Sequence, residues 1–136
     1  MSSRETAERY FDTQGKGDIE GALACFNPDA EFVGPMGSLP FPDGVRAYLQ
    51  GFQSSFPGSY FEVNNAIEAG DQAVIEGFGV GKHTGTLHLP DGKAIPATNR
   101  GVRASFVTIF RVENDHIVSH RGYWDMAGFM AKLGLG

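Results

Sequence analysis

The stretch VRASFVTIFRVENDHIVSHRGYWD, residues 102–125, consists of two alternating runs separated by Asn114-Asp115. A period of two, rich in β-branched and aromatic residues and interrupted by turn formers, predicts two long strands joined as a hairpin. Alternation puts Val102, Ala104, Phe106, Thr108, Phe110 and Val112 on one face and Arg103, Ser105, Val107, Ile109 and Arg111 on the other. Both faces carry apolar groups. A face holding Val107 and Ile109 needs cover, supplied either by helices of the same chain or, most simply, by a second copy; a homodimer through this outer face is expected, with Arg103 and Arg111 pairing acidic groups at its rim.

Downstream, MAGFMAKLG places Phe129 and Leu133 at helical spacing, with Gly134 as a C-terminal stop. Asp125 precedes this helix, where a carboxylate accepts free amide hydrogens, so it reads as a cap and not as a catalyst. Upstream, residues 60–70 and 72–85 read as strands around a Gly-Asp turn, and Pro90-Asp91-Gly92 suits a hairpin. Three helices come before them. Residues 3–14 carry Ala7, Tyr10 and Phe11 at helical spacing behind Ser3 as N-cap; residues 19–26 carry Ile19, Ala22, Leu23 and Phe26; residues 42–56 carry Val45, Tyr48, Leu49 and Phe52. A short strand over residues 30–36 separates the second and third helices.

This order predicts an α+β fold, a strongly curved antiparallel sheet with helices packed on its concave side. The 136 residues fit one domain, residues 1–136. Sixteen aromatic residues (11 Phe, 4 Tyr, 1 Trp) and 19 glycines suit a bent sheet around an apolar interior. A net charge of −5 gives no attraction to nucleic acid or to anionic membranes. The single cysteine, Cys25, allows no intrachain disulfide, no run is long and apolar enough to span a membrane, and the N-terminus is too polar for a signal peptide; a cytoplasmic protein is expected.

Two stretches carry a resemblance. RYFDTQGKGDIEGALACFNPDAEFVGPMGSLP is similar to the opening of ketosteroid isomerase, and GKHTGTLHLPDGK with VTIFRVENDHIVSHRGYWDMAGFMAKLGL resembles the SnoaL-like polyketide cyclases. Together they cover nearly the whole chain and imply the cone-shaped nuclear transport factor 2-like fold, which hosts many chemistries and also members without catalysis.

The resemblance sorts the polar residues. Tyr10 falls where the isomerase carries its oxyanion-stabilising tyrosine, although a tyrosine on the inner face of a first helix also suits the core. Gly34 stands in place of the isomerase's general base, Thr108 in place of its second acid, and Gly122 in place of the cyclases' aspartate. The triad of the similar limonene epoxide hydrolase maps to His83, Gly85 and Gly122, none of which matches it. The inward parity that the isomerase implies turns His120, Gly122 and Trp124 to the cavity, and Ser119, Arg121, Tyr123 and Asp125 away from it.

Histidine titrates near neutrality, so His120 is the leading candidate for acid or base, the alternative being an interior histidine bonded to a backbone carbonyl. His83 and Tyr10 complete the catalytic candidates, while His88 and His116 lie beside turns. Trp124, Phe32, Phe106, Thr108, Phe110 and Gly122 are the ligand-binding candidates, with Trp124 a stacking wall. Asn99 and Arg100 could gate a cavity mouth or simply form a loop. No metal and no cofactor are expected, since the histidine spacing forms no ligand motif. The expected function is binding of a small apolar or aromatic molecule, with cofactor-free isomerase, cyclase or dehydratase chemistry, or else a non-catalytic binding or dimeric interaction module.

Overall fold

The computed structural model describes residues 1–89 and 92–135. Its elements are α1 (Ser3–Gly15), α2 (Ile19–Leu23), β1 (Phe26–Gly34), β2 (Gly37–Leu39), α3 (Asp43–Ser55), β3 (Tyr60–Ala69), β4 (Gln72–Lys82), β5 (Leu87–His88), β6 (Ala94–Ile95), β7 (Gly101–Glu113), β8 (His116–Trp124) and α4 (Met126–Lys132). A six-stranded sheet runs in the order β2-β1-β8-β7-β4-β3, and β5 pairs with β6 alone. The sheet is curved and does not close. Pro90 and Asp91, the first two residues of the expected Pro-Asp-Gly turn, lie outside the described residues.

The hairpin of β7 and β8 organises the sheet. Asn114 and Asp115 both take positive φ, 52° and 63°, the geometry of a tight two-residue turn between twisted strands. Along β7 the burial alternates as expected, with Val102, Ala104, Phe106, Thr108, Phe110 and Val112 all buried. A bulge opposite Arg111 and Val112 lets both Ile117 and His120 point inward, although they are three residues apart. The sheet is not purely antiparallel: β1 runs parallel to β8, because the Ile117 amide donates to the Cys25 carbonyl at 2.8 Å and starts both strands at the same end.

That pairing also shortens the second helix. Asp18 caps α2 through the Gly21 amide, but the helix stops at Leu23, and Phe26, expected on its apolar face, begins β1 instead. The cap of α1 is Ser2 and not Ser3: Ser2 and Glu5 form a reciprocal capping box. Ser3 is buried and donates its hydroxyl to the carbonyls of Gly70 and Gln72, which ties α1 to the turn between β3 and β4.

Curvature comes from a bulge at Asn64 in β3, faced by Gly77 in β4. A Cβ on Gly77 would lie 1.8 Å from the Glu62 carbonyl oxygen, so no larger residue permits this close approach. Helix α1 packs Ala7, Tyr10 and Phe11 into the concave face, in one cluster with Ala73, Ile75, Phe106 and Phe110. A second cluster, built on Phe56, Leu87, Val102, Phe129 and Leu133, meets the first at Trp124. On the convex face Ile67, Ile109 and Tyr123 are exposed.

Candidate functional site

The concave face and helices α1, α3 and α4 enclose a cavity of about 130 Å³. That is the size of an engineered cavity of roughly 150 Å³ that stays dry and accepts benzene. Glycines help to make the room. Gly79 and Gly81 border the cavity from β4, Gly34 from β1 and Gly122 from β8. Aromatic rings form most of the remaining wall, including Phe11, Phe32, Phe52, Phe61, Phe106 and Trp124. No lysine, arginine, aspartate or glutamate lines it among the described residues.

Sheet register places the polar groups. Across β7 and β8, Phe110 faces His120, Thr108 faces Gly122 and Phe106 faces Trp124, while on the other side Phe32 of β1 pairs with His120. The His120 ring lies against Phe32 and is edge-on to Tyr10, with centroids 5.7 Å apart. It is buried, and its Nδ1 has no hydrogen-bond partner among the described residues. Burial lowers its pKa to about 4, opposed only in part by the backbone carbonyls of His120 itself and Val33. His120 is therefore neutral at cellular pH.

Beside it lies a gap. A Cβ on Gly122 would sit 3.1 Å from His120 Cε1, 3.8 Å from its Nε2 and 3.7 Å from Thr108 Oγ1. On the neighbouring strand β1, a Cβ on Gly34 would lie 3.9 Å from the Tyr48 hydroxyl. Three positions at which the resembling enzymes were expected to carry acids, Gly34, Thr108 and Gly122, thus border the same cavity, and two of them are glycine. Tyr10 and Tyr48 supply phenols whose pKa values burial pushes up, so both remain protonated donors.

Most of the expected site residues converge here: His120, Tyr10, Phe32, Phe106, Thr108, Gly122 and Trp124 all line the cavity. Two do not. Phe110 has the inward parity but lies behind the wall, packed on Tyr10, Phe11 and His120, because those rings fill the narrow end of the sheet. His83 is fully buried away from the cavity, stacked on Phe56, and its Nδ1 accepts the Thr98 amide at 3.2 Å. Its backbone bonds Asn99 and Arg100, which makes it a latch for the segment leading into β7. Neither Asn99 nor Arg100 reaches the cavity. Arg100 sits against Gly134, and Asn99 takes a positive φ of 60° in the turn.

Asp125 is exposed, and its side chain accepts the Gly128 amide at 2.8 Å as the cap of α4. His88 and His116 are exposed. Among the cavity groups that the sequence reading did not assign to a site are Tyr48, Phe52 and Gln14. Tyr48 and Phe52 stood on the apolar face of α3, where a phenol four residues before a phenylalanine was a usable signal; Gln14 gave none. Among the described residues, no group of three His, Cys, Asp or Glu is placed to hold a metal ion, and no helix is long and apolar enough to cross a membrane.

The model of the SnoaL-like domain matches residues 7–120. The chain belongs to the SnoaL-like domain family. Its fold is shared with solved SnoaL-like and nuclear transport factor 2-like proteins. One is a candidate SnoaL-like polyketide cyclase from Jannaschia sp. CCS1, 20% identical over 98% of this chain and 92% of that one, with a TM-score of 0.84. Another is IdmH, a candidate polyketide cyclase from Streptomyces antibioticus, 21% identical over 99% of this chain and 100% of that one, with a TM-score of 0.82. A third is AclR, a candidate hydroxylase from Streptomyces galilaeus, 16% identical over 97% of this chain and 95% of that one, with a TM-score of 0.83. Among curated proteins nothing matches. A SnoaL-like domain so distant in sequence from these neighbours shares their architecture, and its chemistry rests on its own residues.

Proposed function

We propose that this SnoaL-like protein binds a small apolar or aromatic molecule and carries out cofactor-free acid–base chemistry of the cyclase or isomerase type. His120 is the proton carrier, and Tyr10 and Thr108 orient the reacting oxygen. The observation that carries this reading is the unpaired, buried Nδ1 of His120 in a ring bordering the space left by Gly122. A neutral imidazole offers one donor and one acceptor, so it can polarise a carbonyl or take up a proton without a charged partner. The polyketide cyclases among the neighbours are consistent with that reaction class. His83, held by Thr98 and Phe56, is assigned a structural role.

The absence of any carboxylate from the wall among the described residues favours a second reading, a ligand-binding domain without catalysis. Native mass spectrometry of the purified protein, which detects a co-purifying molecule by mass, tests the binding. Turnover of that molecule by the native protein and its loss in His120→Gln separate the enzyme from the binder; turnover unchanged in His120→Gln excludes the proton-carrier role.

We also propose a single domain over residues 1–136 that pairs with a second copy through the convex sheet face. Support comes from the exposed Ile67, Ile109 and Tyr123, flanked by half-buried Val74, Phe78 and Val107. Arg103, expected at the rim, pairs with Glu62 of its own chain and lies over the Phe78 ring.

A further inference from the structure

One polar group of the cavity has no partner and no part in the chemistry proposed above. Gln14 borders the cavity, and its Oε1 is buried with no hydrogen bond among the described residues. Buried acceptors are rarely left unpaired, because desolvation is then uncompensated. Gln14 follows Tyr10 by four residues of α1, about 6 Å along the axis, on the same helix face. Tyr10 in turn touches His120, whose Nδ1 is the other unpaired polar atom of the wall.

Gln14 stands next to Gly15, the last residue of α1. Tyr60, half exposed, borders the cavity together with Ser59, and the end of α1 packs there, a Cβ on Gly15 lying 3.9 Å from Tyr60 Cα. Phe11, Phe61, Phe106 and Trp124 share the wall with Gln14 and His120. An aromatic ring carrying two polar groups suits such a wall, and with no ionised side chain on it among the described residues a neutral occupant is favoured.

We propose that Gln14 is a specificity-determining residue: the cavity selects a neutral aromatic compound whose hydroxyl or amine donates to Gln14 Oε1 while an oxygen across the ring meets His120. This rests on the reading of the cavity as a small-molecule site. Suitable probes are 4-hydroxyacetophenone, which carries both groups, and acetophenone, which lacks the donor. Trp124, the only tryptophan of the chain, lines the cavity and reports occupancy by its emission, while calorimetry gives affinities.

The native protein is expected to bind 4-hydroxyacetophenone roughly fivefold to tenfold more tightly than acetophenone, the discrimination one neutral hydrogen bond supplies. In Gln14→Met, of similar length but without the amide, that preference disappears while acetophenone affinity is retained. Equal affinities in the native protein overturn the assignment whatever the variant does, as does a preference that persists in Gln14→Met. If neither compound binds, the small-molecule reading falls with it; if both bind equally, only the role of Gln14 falls.

Discussion

The imidazole of His120 lies face to face with the ring of Phe32, with centroids 4.0 Å apart and planes 7° from parallel. Parallel pairing of β1 with β8 fixes this contact, since Phe32 and His120 are register partners. Stacking holds the ring in one orientation and burial disfavours its charged form, so the same packing that positions His120 also sets its protonation state.

A pH dependence follows. The His120 pKa is about 4 in the fold against 6.5 for the free side chain, so between these values the unfolded chain binds more protons than the native one. Stability therefore falls as pH drops from 6.5 towards 4, by on the order of 3 kcal/mol from this group. In His120→Phe, which keeps the stack on Phe32, urea unfolding across this range should lose that part of the slope. An unchanged slope would mean that His120 is not buried as described.

The gap at Gly122 is open to a direct test. In Gly122→Ala the new Cβ would press on His120 Cε1 at 3.1 Å, so the imidazole must shift. The expected result is a stability loss of about 1–3 kcal/mol, as for overpacking, together with weaker binding of ring compounds. Unfolding midpoints and calorimetric titration of the variant measure both effects.

Asp125 provides a control at the end of the same strand. Asp125→Ala should cost about 1 kcal/mol by removing the cap of α4, whereas Asp125→Asn, which still caps, should retain stability and any turnover. A catalytic aspartate would instead lose activity in the asparagine variant.

The convex face predicts its own outcome. Light scattering of the native protein should give a dimer mass, and Ile109→Lys or Tyr123→Lys, placing a charge among exposed apolar groups, should give a monomer that retains cavity binding. A native monomer contradicts the proposed pairing.

Period-two alternation along residues 102–113, the Asn114-Asp115 turn and the helical spacing that put Tyr10 on the inner face of α1 were legible, and with them part of the wall. Strand parity put His120, Gly122 and Trp124 on the correct face because the side chains of a strand have only two directions. What failed was settled by tertiary contact. Phe26 left its helix because Cys25 bonds β8, His83 turned from the cavity to stack on Phe56, and Phe110 lost its place on the wall to the rings in front of it. Parity names a face but not how deep along it the space runs, and Gln14, a polar residue near a helix end, carried no periodic signal.

The central claim, that His120 is a neutral imidazole waiting for a ligand group, is tested most directly by long-range proton–nitrogen NMR of its side chain with and without 4-hydroxyacetophenone. The account predicts a neutral ring down to about pH 5, given a pKa of about 4, and ring nitrogen shifts that move on saturation with the ligand. An imidazole already charged at neutral pH, or one whose nitrogens do not respond to bound ligand, would contradict it.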